Sequence, residues 1–264
     1  MNDEWYINFL KKILAKFEKQ EKTVSIIIQG ALNKRSIETI PSYLKYGQVI
    51  ISCWDNNDLS MLDDYKQDIT LVVNKYSDLS NCYKKPGSQA PWIYQHHTTL
   101  SGLKAATGYS SIKLRSDESY PDLDAIIKKL DNNRSRRETE KKIITSNIYF
   151  RFDREIKFHP SDHIVAGPTY RMINCFERSR LIASRKTEIK FAEQVLAKAV
   201  IETLRDPVTK KPKTLDEKKS KEIMKEHFDI VRIRDLKKHI WTSSFRKYDP
   251  LYNEEIWCND ISEI

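Results

Sequence analysis

Short apolar runs alternate with helical spacings along most of this chain. Val24-Ser25-Ile26-Ile27-Ile28 is a β-branched run closed by Gln29-Gly30, the pattern of a strand buried on both faces. Gln48 to Trp54, Asp68 to Asn74 and Ser111 to Arg115 repeat it, and Ile143 to Asn147 is a shorter version. Between these runs, Ser36 to Tyr46, Ile93 to Thr107 and Asp122 to Leu130 read as helices. A polar loop, His159 to Gly167, leads into another strand. Lys186 to Leu204 is a long helix, Pro207 to Pro212 breaks it, and Leu215 to Phe228 is a charged helix. Strand alternating with helix predicts an α/β fold, with a largely parallel sheet and helices on both faces. In such sheets ligands lie beyond the carboxyl ends of the strands, which puts Gln29, Trp54-Asp55 and Ser116-Asp117-Glu118 along one rim.

The two ends differ from this middle. Trp5, Tyr6, Phe9, Leu10, Ile13, Leu14 and Phe17 recur at helical spacing with Lys11, Lys12 and Lys16 between them. This is an amphipathic helix, and packing on the domain is favoured over lying in a membrane interface. At the other end Trp241, Phe245, Tyr248, Tyr252 and Trp257 supply aromatic residues for core packing or for stacking on sugar rings. The expected division is an amphipathic helix over 1–22, a nucleotide-binding α/β domain over 23–205, and a helical and aromatic extension over 206–264 packed on that domain.

Composition narrows the class. The chain has 264 residues and a formal net charge of +9. Its bases fall in patches, Lys11 to Lys22, Arg134 to Lys142 and Lys210 to Lys225, and most alternate with glutamates as solvated helix faces do. No basic stripe with interleaved aromatics appears, so nucleic acid is disfavoured as a partner, and membrane contact would be peripheral. No apolar run reaches the roughly 18–20 residues that span a bilayer. Met1-Asn2-Asp3-Glu4 has acids where a secretory signal has bases, and Cys53, Cys82, Cys175 and Cys258 are far apart, so a cytoplasmic, reducing setting is expected.

The strongest candidate chemistry is Ser116-Asp117-Glu118. Adjacent acids just past a strand can hold Mn²⁺ or Mg²⁺ against a diphosphate, because hard cations prefer carboxylate oxygens. The competing reading is an exposed acid pair opening a helix. Phosphate-binding glycine loops, a Gly-x-Ser-x-Gly elbow and His-Glu-x-x-His are all missing, which argues against P-loop, dinucleotide, serine-hydrolase and zinc-protease chemistry.

Ser25 to Gly30, Val49 to Trp54 and Lys113 to Glu118, taken in order, resemble the WavE-type lipopolysaccharide-synthesis family. Gln95 to Ala106 with Gly102-Leu103 resembles its central helix, and Ser161-Asp162-His163 with Gly167 its later loop. The likeness covers roughly residues 23 to 200. It implies a GT-A-like fold: a mixed, mostly parallel central sheet flanked by helices, with relatives in large DNA viruses. It implies a metal-dependent glycosyltransferase using a nucleoside diphosphate sugar, UDP-sugar favoured, and a glycan or lipid-linked acceptor. The family's Asp-x-Asp metal motif is here Ser116-Asp117-Glu118 with Arg115 at the first acid's position, so Asp117 alone carries over directly and Glu118 is its companion. By the same likeness Gln29, Gly30 and Asp55 face the base and ribose, and Arg115 and Ser116 the phosphates. Asp162 is the expected catalytic base, with Glu193 as rival; a turn aspartate and a solvated helix face are their structural alternatives. His96 and His97, adjacent on a helix, face different ways and do not chelate one ion. A nucleic-acid-binding protein, a nucleotidyltransferase and an inactive scaffold remain the alternative readings.

Overall fold

In the computed structural model the apolar runs become strands: β1 (Val24–Gln29), β2 (Gly47–Trp54), β3 (Ile69–Asn74), β4 (Ser110–Arg115), β6 (Ile143–Ser146), β7 (Ile164–Pro168) and β8 (Phe228–Val231). The structure describes residues 23–82, 91–137, 140–148, 150, 157–183, 191–203, 219–236 and 240–241. The seven strands form one sheet in the order β3-β2-β1-β4-β7-β6-β8. β7 pairs antiparallel with both β4 and β6, and every other pairing is parallel. The sheet is therefore mixed and mostly parallel, as expected. Two short strands, β5 (Glu118–Ser119) and β9 (Ile240–Trp241), pair apart from it.

Eight α-helices are described: α1 (Lys34–Glu38), α2 (Ile40–Leu44), α3 (Tyr76–Cys82), α4 (Pro91–Ala105), α5 (Asp124–Arg134), α6 (Thr169–Ala183), α7 (Ala192–Glu202) and α8 (Ser220–His227). They cover both faces because the strands bury both faces. Alternation sends Ile26, Ile28, Val49, Ile51, Ile112 and Leu114 towards Ile37 and Ile40, Tyr43, and Ile126 and Leu130 of α5. Ile27, Ile50 and Val165 point the other way, onto Leu100, Leu103, Ile173, Phe176, Leu196 and Val200. Each such fully buried side chain contributes about 1.5–3 kcal/mol. Helix α4 sits close on the sheet because residue 102 is glycine: a Cβ there would lie 2.5 Å from Ile27 Cγ2 and 3.2 Å from Ser52 Cβ.

Three expectations need amendment. The single helix over 36–46 is two short ones, divided at Thr39; Pro41 at the start of the second lacks an N–H and would clash with the preceding turn of a continuous helix. Among the described residues, the charged segment after 215 is helical over Ser220–His227 and then turns into β8. The boundary at 205 does not divide the fold either. Beyond it, β8 pairs with β6 and completes the main sheet, and β9 pairs with the segment just after β4. The helix expected over 5–17 and the aromatics after Trp241 lie outside the described residues.

Replacing Gly102 with valine is expected to lower stability by about 1–3 kcal/mol through overpacking against Ile27. Urea unfolding would show it as a lower midpoint with an unchanged slope.

Candidate active site

Strand order reverses between β1 and β4: the chain moves outward from β1 through β2 to β3, then crosses back to lay β4 on the other side of β1. That reversal opens a crevice beyond the two strand ends, the position where open α/β sheets bind ligands. The register Gln29↔Arg115 brings Gly30 against Ser116 at its mouth. Ser116 donates its N–H to the Gln29 carbonyl (2.9 Å), and Asn33 Nδ2 donates to the Ser116 carbonyl. Gly30 has φ +121°, which favours glycine, and a Cβ on it would come within 2.6 Å of Ser116 Oγ, so that hydroxyl would have to turn away. Gln29 turns inward instead: it is 4% exposed and its Oε1 accepts from Thr98 Oγ1 at 2.8 Å. Its side chain braces α4 and is not presented on the rim. Asp55 is exposed at the end of β2, its N–H bonded to the Asn74 carbonyl. Beside it Trp54 stacks on Tyr76 (4.4 Å between centroids) and on His97 (5.7 Å), with Tyr94 edge-on to both Trp54 and Tyr76.

The residues after β4 are engaged by one another. Arg115 holds Asp117 in a fork, Nε to Oδ1 at 2.8 Å and Nη2 to Oδ2 at 2.7 Å. Glu118 is buried; its Oε2 accepts from the Tyr120 hydroxyl and its Oε1 lies 2.5 Å from His163 Nδ1. Burial by itself would raise the Glu118 carboxyl, but the charge and hydrogen bond of His163, with Arg115, bring it down to about 2. A divalent cation needs open carboxylate oxygens directed at one point. Both oxygens of Asp117 and of Glu118 are already bound, and among the described residues no three His, Cys, Asp or Glu side chains are grouped to hold a metal ion. In this arrangement the donor set does not fit Mn²⁺ or Mg²⁺.

Deeper in the crevice lies Asp162. Phe158, with φ 54° and its ring buried, turns the chain into this loop, and the Ser146–Ser161 hydroxyl bond (2.8 Å) straps the loop to β6. Lys113, fully buried on the opposite face of β4 from Leu114, donates its ammonium to the Asp162 carbonyl. Gln95 Nε2 donates to Asp162 Oδ2, and His163 Nε2 lies 3.8 Å from Oδ1, which is buried with no hydrogen-bond partner among the described residues. Burial opposes ionisation of Asp162, yet the charges of Lys113, His163 and Arg115 hold its carboxyl well below the usual range. Glu193, in the first turn of α7, shows the reverse. Burial and then the charge of Asp162 push it up to about 7, and His159 Nε2 lies 3.5 Å away. The structure thus brings Arg115, Ser116, Asp117, Glu118, Asp162 and Glu193 into one region, with Gly30 at its edge and Asp55 further along the rim. Sequence reasoning left Lys113 and Gln95 without roles and favoured a structural reading of His163, which flanks Asp162, over metal or phosphate binding. The only signal for Lys113 was a lone ammonium inside an otherwise strand-like run.

A family model of WavE lipopolysaccharide synthesis matches residues 24–230, most of the chain. The chain belongs to the WavE lipopolysaccharide synthesis family. The match reaches into β8, in keeping with a sheet completed by that strand. No functionally curated protein matches the WavE-family chain. Among solved structures, it is similar to the apo-form glycosyltransferase GlyE of Streptococcus pneumoniae TIGR4, with TM-score 0.46, 12% identity, and 89% of this chain and 59% of that one covered. It is also similar to glucosyl-3-phosphoglycerate synthase from Mycobacterium tuberculosis, solved with Mn²⁺, UDP and glucosyl-3-phosphoglycerate, with TM-score 0.44, 13% identity, and 89% and 76% covered. The WavE-family chain therefore spans about three fifths of the GlyE chain's length. Likenesses at this level assign no roles to residues.

Glu118 and Glu193 give this WavE-family protein opposite pH dependences. Glu118 is depressed from 4.5 to about 2, so its contribution is complete above pH 4.5 and is lost as pH falls towards 2. Glu193 is raised from 4.5 to about 7, so the folded state binds the extra proton and stability falls as pH rises from 4.5 to 7. Unfolding midpoints across pH 2 to 8 are expected to show both slopes. Glu118→Ala should reduce the acid slope, Asp162 supplying part of the remainder, and cost about 3–5 kcal/mol by leaving His163 and Arg115 short of a buried partner.

Proposed function

We propose that this chain is a glycosyltransferase that moves a sugar from a nucleoside diphosphate sugar to a glycan or lipid-linked acceptor, with UDP-sugars the first donors to test. The observation that carries this reading is a pair of carboxyls, Asp162 buried and Glu193 partly buried, gathered with the Arg115 guanidinium at the strand-order reversal of a WavE-family fold. Group transfer to a hydroxyl needs a proton acceptor near neutrality and a cation for the departing anion. A pair of titratable groups in different protonation states is how one site divides such roles.

The donor lies along the rim, its nucleoside towards Gly30 and Asp55 and its diphosphate towards Arg115 and Ser116. Glu193 is the base, reversing the order expected from sequence. A carboxyl near 7 accepts a proton from an acceptor hydroxyl far more readily than one held ionised by the charges around Asp162, Lys113 first among them. Asp162 keeps Glu193 basic through its own charge and stands ready to offset positive charge developing on the sugar ring. In the transfer the acceptor oxygen bonds to the anomeric carbon. The bond from that carbon to the diphosphate breaks with its electron pair on the phosphate oxygen, and the acceptor proton passes to Glu193.

A saturating nucleoside diphosphate, at about a hundred times its dissociation constant, is expected to add roughly 2.7 kcal/mol of stability, read as a rise in Tm. Glu193→Gln should cut sugar transfer by about 10²–10⁴ while donor binding persists. Unimpaired transfer by that variant would remove Glu193 from the base role, and no shift with any nucleotide would defeat the transferase reading.

A further inference from the structure

We propose that Arg115, and not a bound divalent cation, neutralises the donor's diphosphate in this protein. The inference rests on the donor reading above and concerns what meets the phosphates. In a metal-centred site the acids after β4 would keep their oxygens open for the ion. Here Arg115 occupies both oxygens of Asp117, and Glu118 is turned into the protein, its side chain 1% exposed and bound to Tyr120 and His163. A cation approaching Asp117 would have to displace a guanidinium 2.7 Å from the same carboxylate and then remain beside it.

Arg115 is itself placed for the task. It follows Lys113 on the same face of β4, so two cations lie in line along the strand that ends at the crevice. Its side chain is 25% exposed, and Nη1 carries no hydrogen bond among the described residues, while Nε and Nη2 are held by Asp117. Asp117 thereby competes for the guanidinium through two of its nitrogens and leaves Nη1 unbonded among the described residues. A guanidinium binds phosphate oxygens through directed N–H bonds and keeps its charge at any working pH. As the bond from the anomeric carbon to the phosphate oxygen breaks, the electron pair stays on that oxygen. Nη1 donates to it, and no proton leaves Arg115.

Calorimetric titration of the full chain with UDP and the other nucleoside diphosphates, in EDTA and in Mn²⁺, tests this. The expected result is a Kd in EDTA within about threefold of that in Mn²⁺. Asp117→Asn is expected to tighten binding by about threefold or more, because it releases Arg115 from a competing carboxylate. Arg115→Gln should weaken binding by about tenfold or more. Should Arg115→Gln fail to fold, the chelator comparison and Asp117→Asn decide by themselves. Binding that appears only with Mn²⁺ and is lost in Asp117→Asn overturns this proposal and leaves the donor reading standing. Absence of binding by every nucleoside diphosphate, with metal and without, overturns both.

Discussion

Two cations on the buried face of β4 set the chemistry of this molecule. Lys113 and Arg115 lie where strand alternation would otherwise place apolar residues, and a buried charge without a partner costs several kcal/mol. The surrounding polar groups answer that cost. Asp162 supplies its carbonyl and its charge to Lys113, Asp117 takes the Arg115 fork, and Glu118 with His163 and Tyr120 closes the network behind. Such a network is a weak source of net stability, since well-packed apolar residues would serve as well or better. Its presence at the point where strand order reverses is the kind of local conflict that folds retain at functional sites.

The same cations divide the carboxyls among different tasks. Asp162 stays ionised because Lys113, His163 and Arg115 surround it, and its charge then lifts Glu193 towards neutrality. Lys113 is in turn lowered to about 8 by its own burial, which the nearby carboxylates only partly offset. Arg115 cannot respond in this way, because a guanidinium keeps its proton under all working conditions. It is therefore the steadier of the two charges to set against a departing diphosphate.

Much of the fold was legible in the sequence. The strand runs at 24–29, 48–54, 69–74 and 111–115, the central helix and a largely parallel sheet follow from local periodicity and from the alternation of elements, and the mixed character of the sheet came with the resemblance to the WavE-type family. The helix break at Thr39 could have been read from Pro41. That β8 completes the sheet could not, because Phe228-Asp229-Ile230-Val231 is too short to declare a strand until β6 offers it a partner.

The site was legible as residue types in order and not as an arrangement. The sequence by itself determined that acids and bases follow β4, that a further aspartate stands at 162, and that the chain belongs with WavE-like proteins. Tertiary structure alone decided which oxygen is open and which is bound. Gln29 turned inward to Thr98, Glu118 went to His163 across 45 residues, and Glu193 came under the charge of Asp162. The physical reason is that periodicity reports which face of an element is buried, whereas protonation and ligand availability depend on through-space neighbours brought together only by folding.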